Sequence, residues 1–371
     1  SLPVGFGCDG SGVREAVRAM GRMKAVLVAC VAGWVVGAGS VRGSDAVGDG
    51  ERPGPADESV ASDRGSGGAP ADLAGALSPP RATRVAVNLG LERRFDAGLN
   101  GPAGEVSVTR AGGGFDVSRV VDEDLSLSFG FDGIVSEWDF EDAGGLLPGL
   151  GVVDGDDPFG TLTRWTASVG GSYRTGDRSR VFGSLGVSAG YENGAEFGES
   201  LEYSGLVALT HRATETLTLA GGVVVSSELE DDVRVRPAVG VDWRFSERWR
   251  LSSLAGRGRP ADRAALAGGL SVDLSYEAHE TLTVFGRAAW ESSSFRLDDG
   301  NRFLPGGVLR REALEVLVGV DGRVGSGLNV RVSGGAAVYQ ELEFVDSGGR
   351  EVTDVEMEPQ PIVRAILVLR Y

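Results

Sequence analysis

Alternation with period two constrains this chain most: it recurs almost without pause from residue 83 onward, and no 10-residue window there carries a convincing helical apolar stripe. Val85, Val87, Leu89 and Leu91 alternate with Ala86, Asn88, Gly90 and Glu92; Leu125, Leu127, Phe129 and Phe131 alternate with Ser126, Ser128, Gly130 and Asp132. Val233, Val235, Val239, Val241, Trp243 and Phe245 alternate with Arg234, Arg236, Gly240, Asp242 and Arg244. One face is apolar throughout and the other is polar or tiny. Strands of a soluble sandwich run about 5–6 residues and meet face to face in a core. These runs are roughly twice as long, so the apolar face is expected to meet lipid.

The pattern predicts an all-β fold, a transmembrane antiparallel up-and-down barrel. Its strands fall at about 84–95, 105–120, 124–138, 160–174, 180–192, 200–212, 216–227, 232–245, 248–257, 267–277, 281–297, 311–323, 327–340 and 359–371. That makes about 14 strands. Twelve is the alternative, because Gly112, Gly113 and Gly114 interrupt one run and 248–257 is weakly patterned. Connections alternate between short turns (175–178, 213–216, 246–247, 278–280, 325–327) and long acidic loops, including 141–159, 298–310 and 341–358. Outer-membrane barrels have this asymmetry, with short turns on the periplasmic side.

Tyr173, Trp243, Phe245, Trp249, Tyr276 and Tyr371 fall beside the short turns or the C-terminus, and Trp138, Trp165, Tyr191, Tyr203 and Trp290 toward the long loops. This predicts the two aromatic belts that mark membrane interfaces.

Upstream of residue 83 the composition changes. From Met23, the expected translation start, a single lysine, Lys24, precedes a short apolar run and the small residues Ala38, Gly39 and Ser40, a secretory-signal pattern too short for a spanning helix. Residues 1–40 are read as an export signal region. Residues 41–82 are read as a disordered linker: 41–80 hold five Pro, eight Gly, seven acidic residues and no aromatic. The formal charge of −17 argues against nucleic acid as a partner. Cys8 and Cys30 both precede the barrel region, which therefore has no thiol chemistry.

The last residues, with Val363, Ala365, Leu367, Leu369 and Tyr371 alternating against Arg364, Ile366, Val368 and Arg370, resemble the closing strand of bacterial outer-membrane β-barrels. Residues 213–218 and 278–283 echo each other as Ala-x-Glu-Thr-Leu-Thr, and 295–308 is similar to outer-membrane barrel proteins of unknown function. The resemblance implies Sec-type export, a place in outer-membrane lipid and recognition of the last strand by the barrel-assembly machinery.

No motif carries catalysis. Gly186, Ser188 and Gly190 fit a nucleophile-elbow pattern, but in an alternating strand rather than a strand-to-helix turn. His211 and His279, the only histidines, are expected at the short-turn end. The acidic groups at Asp154, Asp156 and Asp157, at Glu228, Glu230, Asp231 and Asp232, and at Asp298 and Asp299 lack the spacing of a calcium loop. No cofactor is implied. The informative polar set is the lumen phase: Arg234, Arg236, Arg244, Arg287, Arg323, Arg331 and Arg364 with Asp132, Asp242, Asp273, Glu315 and Asp321. Charges inside a barrel must pair or be hydrated, so these residues imply a water-filled pore or a plug of salt bridges. The expected function is a passive channel for small polar solutes; the alternative is a closed structural or surface-binding barrel.

Overall fold

The computed structural model describes residues 83–99, 104–141, 157–253 and 270–371. The expected signal region and linker, and the acidic loop residues Asp154 and Asp156, lie outside them. The strands are β1 (Thr83–Gly98), β2 (Glu105–Val120), β3 (Leu125–Glu141), β4 (Leu162–Gly176), β5 (Ser179–Glu192), β6 (Leu201–Arg212), β7 (Leu217–Glu228), β8 (Asp231–Trp243), β9 (Trp249–Ser252), β10 (Ser271–His279), β11 (Leu282–Arg296), β12 (Val308–Val324), β13 (Leu328–Val345), β14 (Glu351–Met357) and β15 (Gln360–Arg370). A 3-10 turn, Phe197–Ser200, precedes β6.

Neighbours in sequence pair antiparallel, and β1 closes the ring against β15, from Ala86 opposite Arg370 to Arg94 opposite Ile362. Both β14 and β15 pair with β13, so they are two segments of one strand, split at Glu358 and Pro359 where proline lacks a ladder donor. The result is a closed fourteen-strand barrel.

The long-loop end departs from the expected boundaries. β13 reaches Val345 and β14 occupies 351–357, so most of the expected loop 341–358 is strand and only 346–350 turns the chain. The cause is a bulge at Val338: Leu314 faces Tyr339 and Glu315 faces Ala337, which shifts the inward phase from odd to even residues. Alternation read from sequence stops there, although the strand continues. β7 and β8 are joined by Leu229 and Glu230 alone, with Glu230 at φ 55°.

The outward face is apolar and open: Leu91, Val207, Val235, Val239 and Val318 are each more than 60% exposed. A face of this composition is stable against lipid rather than water. Inside, the barrel does not stay round. Near the long-loop end β11 meets β5, Arg296 pairing in parallel with Tyr191 across the lumen. Gly190 permits the approach, since a Cβ there would lie 2.1 Å from the Ser294 carbonyl oxygen. At this height β11 to β15 and β1 to β5 therefore form an inner ring of nine strands, leaving β6 to β10 as a separate sector.

Candidate functional site

The inner ring is filled in two layers. Next to the long loops lies a dry apolar cluster that includes Val106, Val108, Trp138, Phe140, Leu162, Leu309, Leu342 and Phe344. The 297–307 loop folds inward to complete it. Asn301 Oδ1 accepts the backbone N–H groups of Phe303 (3.0 Å) and Leu304 (2.9 Å), which turns both side chains into the cluster. Glu192 pins this loop, accepting the Asp298 N–H (3.0 Å) and Asn301 Nδ2 (3.0 Å), and also the Gly160 N–H (2.6 Å).

Beneath it lies a layer of ion pairs drawn from six strands. Arg94, fully buried, donates from Nε to Glu92 (2.6 Å), from Nη1 to Gln340 (2.9 Å) and from Nη2 to Glu315. Arg364 donates to the second oxygens of the same two carboxylates, Nη2 lying 2.8 Å from Glu315. Arg311 reaches Gln340 (3.2 Å) and Glu291 (3.4 Å), and Arg110 reaches Glu92 (3.4 Å). Gln340 donates to Gln360, which donates to the Val106 carbonyl. Four arginines face three carboxylates, a formal excess of one positive charge. Desolvation opposes every one of these charges, and only their mutual pairing and shared hydrogen bonds offset it.

Below the layer, toward the short-turn end, is a cavity of about 200 Å³. Its walls combine apolar side chains such as Ile134, Phe285 and Ile366 with charged ones, among them Asp321 paired to Arg331 (2.8 Å). Arg331 also stands 4.6 Å over the Phe285 ring.

The lumen-phase residues fall into three places. Arg364 joins the layer; Arg287, Asp321 and Arg331 line the cavity with Asp132. Asp273 faces Arg287 across the β10–β11 ladder. Arg234, Arg236 and Asp242 belong to the separate sector: Arg234 and Arg236 contact Glu228 (3.0 and 2.8 Å), and Asp242 holds Arg250 (2.6 Å). Arg244 and Arg323 stand at the short-turn rim, hydrogen-bonded through their backbones to Thr216 and Thr281.

Among the aromatic residues expected on the outer surface, Trp165, Tyr173, Tyr191, Tyr203, Trp243, Trp249, Tyr276, Trp290 and Tyr371 occupy the outward phase. Trp243, Phe245, Trp249 and Tyr276 form a chain of ring contacts (5.2, 6.2 and 4.9 Å). Trp138 departs from expectation: it points inward, only 7% exposed, 6.2 Å from Phe140 and 5.5 Å from Phe159. The even phase of β3 is the inward one, and near the long loops that phase is apolar rather than polar.

Ser188 faces the lumen, with Glu202 (3.5 Å) and Arg164 (3.5 Å) as partners. His211 bonds Ser179, nine residues down the same sheet and therefore about 30 Å away along the strand direction; His279 bonds Thr281. Glu230 and Asp231 at the β7–β8 turn pair with Arg296 (2.5 Å) and Arg234 (2.7 Å). No group of three or more His, Cys, Asp or Glu residues suited to a metal occurs among the described residues.

Sequence reasoning did not single out Arg94, Arg110, Glu291, Arg311, Gln340 or Gln360. One signal was available: Arg93 and Arg94 are adjacent, so one of them must point inward.

No protein-family model and no curated protein matches the chain. Solved structures of similar outline do exist. The Pseudomonas putida toluene transporter TodX shares 10% identity over 81% of this chain and 91% of its own, at a TM-score of 0.41. The COG4313 outer membrane channel from Pseudomonas putida F1 shares 12% over 79% and 97%, at 0.38, and the translocator domain of the Neisseria meningitidis autotransporter NalP shares 12% over 81% and 92%, at 0.33. This chain is a closed fourteen-strand antiparallel β-barrel with an apolar outward face.

Proposed function

We propose that the protein is a channel of the outer membrane for small polar solutes, with the ion-pair layer as its constriction. The layer carries this reading. The same nine strands fill their long-loop end with apolar side chains, and replacing buried ion pairs by apolar groups is often neutral or stabilising. Seven charged groups held across the lumen beside a cavity are therefore better accounted for by passage or binding of a charged or polar solute than by stability. On this reading the short turns face the periplasm, the aromatic residues beside both rims form the interface belts, and the last strand engages the assembly machinery after Sec export.

A second reading, a closed structural or surface-binding barrel, draws support from the apolar cluster and the inward-folded 297–307 loop, which together cap the layer. Planar-bilayer recording on the refolded full chain separates the two. The channel reading expects a small conductance with intermittent openings; silence from barrels shown to be folded by heat-modifiable gel migration favours the closed barrel.

A further inference from the structure

We propose that the cavity beneath the layer binds a small organic anion, a carboxylate on a compact apolar body. The inference rests on the channel reading for transport but not for binding. Three observations meet at this cavity. First, seven arginines line it against four carboxylates, an excess of three positive charges within a chain whose formal charge is −17. Cations near an acidic protein gather readily on its surface; an interior with the opposite sign selects against them and for anions.

Second, three of those arginines carry buried donor atoms with no hydrogen-bond partner among the described residues: Arg110 Nε, Arg311 Nε and Arg164 Nη1. Buried donors are almost always satisfied, and guanidinium donors left over from protein ion pairs suit a planar carboxylate. The carboxylates nearby are already committed: Glu92 serves Arg94, Arg110 and Arg364, and Glu291 stands within 4.0 Å of four arginines.

Third, the remainder of the wall is apolar. Leu317 and Phe285 are buried, and Ile134, Ile366 and Val368 continue the surface toward the short-turn end. A fully hydrated inorganic ion gains nothing from such walls; a hydrocarbon body does. At about 200 Å³ the cavity is smaller than the roughly 300 Å³ at which drug-sized pockets begin, so the body is one ring or a short chain.

The test uses the refolded full chain in detergent, titrated calorimetrically with benzoate, benzamidinium and benzyl alcohol, which share one shape and differ in charge. Benzoate should bind at least about tenfold more tightly than either analogue, the difference expected of one charge-assisted hydrogen bond. Arg164→Gln, which leaves the layer intact, should weaken benzoate by about the same factor; Arg311→Met should do so more strongly if it folds. Equal binding of benzamidinium, or no binding of benzoate, overturns the site. Bilayer recordings on the same preparation keep the two claims apart. Conductance without benzoate binding sinks the anion site and leaves the channel, whereas benzoate binding without conductance sinks the channel and leaves the site.

Discussion

The nine-strand inner ring and the five-strand sector β6 to β10 share one sheet and one alternating pattern, yet they are filled differently. The ring holds a dry apolar cluster and a layer in which Arg94, Arg311 and Glu315 are no more than 2% exposed. The sector's rim arginines stay wet: the Arg234 and Arg236 side chains are 41% and 38% exposed and pair with Glu228 near the rim. Ion pairs of the second kind are worth little, whereas breaking one of the first kind strands a desolvated charge. The lesson is that inward phase alone does not define a constriction; depth below solvent does.

The largest effect should come from Arg94→Met. It removes one of the two arginines that Glu92 and Glu315 share and leaves both buried carboxylates short of a charged donor, and the cost should be about 3–5 kcal/mol in urea unfolding from vesicles. Arg236→Met, in the sector, should cost under about 1 kcal/mol in the same assay. Equal losses would erase the distinction between the regions.

Next comes the apolar cluster. Leu342→Ala opens a void where the side chain is fully buried, at a cost of about 2–5 kcal/mol, whereas Val239→Ala on the outer surface of the sector leaves no internal cavity and should cost far less.

The seam between ring and sector is the third target. Gly190→Ala places a Cβ against the Ser294 carbonyl and should push β11 off β5 at about 1–3 kcal/mol. A disulfide between cysteines at Tyr191 and Arg296 should form readily without that change and poorly with it.

The smallest effect concerns pH at the 346–350 turn. The Arg350 and Gly348 backbone N–H groups, with the Arg350 guanidinium, hold the Asp346 carboxyl below its ordinary value. Because the folded value is the lower one, the ordering it gives is complete above the ordinary Asp range and is lost as pH falls through about 4 and below. Amide protection factors in residues 346–350, taken against the intrinsic exchange rate at each pH, should fall there, and Asp346→Asn should lower them at neutral pH.

Much of the wall was legible in the sequence because membrane strands repeat one rule for many residues: β2, from Glu105 to Val120, matches the expected 105–120. The rule fails where a bulge changes phase. Past Val338 the inward residues are Gln340, Leu342 and Phe344, out of step with Arg331 and Ser333, so the outer third of β13 and all of β14 read as loop. The inner ring was not legible for a different reason. It depends on which distant strands touch, and nothing in Gly190 or Ser294 taken separately reports that they meet. Arg364 and Glu315 were visible as lumen-facing, but that they share Arg94, Glu92 and Gln340 follows only from register around six strands.

If the ion-pair layer is the constriction, combining Arg94→Ser with Glu315→Ser must change single-channel conductance relative to the unaltered chain in the same bilayer. Removing one arginine and one carboxylate keeps the formal charge of the layer while shortening two of its side chains. Larger and longer openings are expected in the double variant; conductance unchanged from the unaltered chain, with the barrel shown to be folded, would rule the layer out as the constriction.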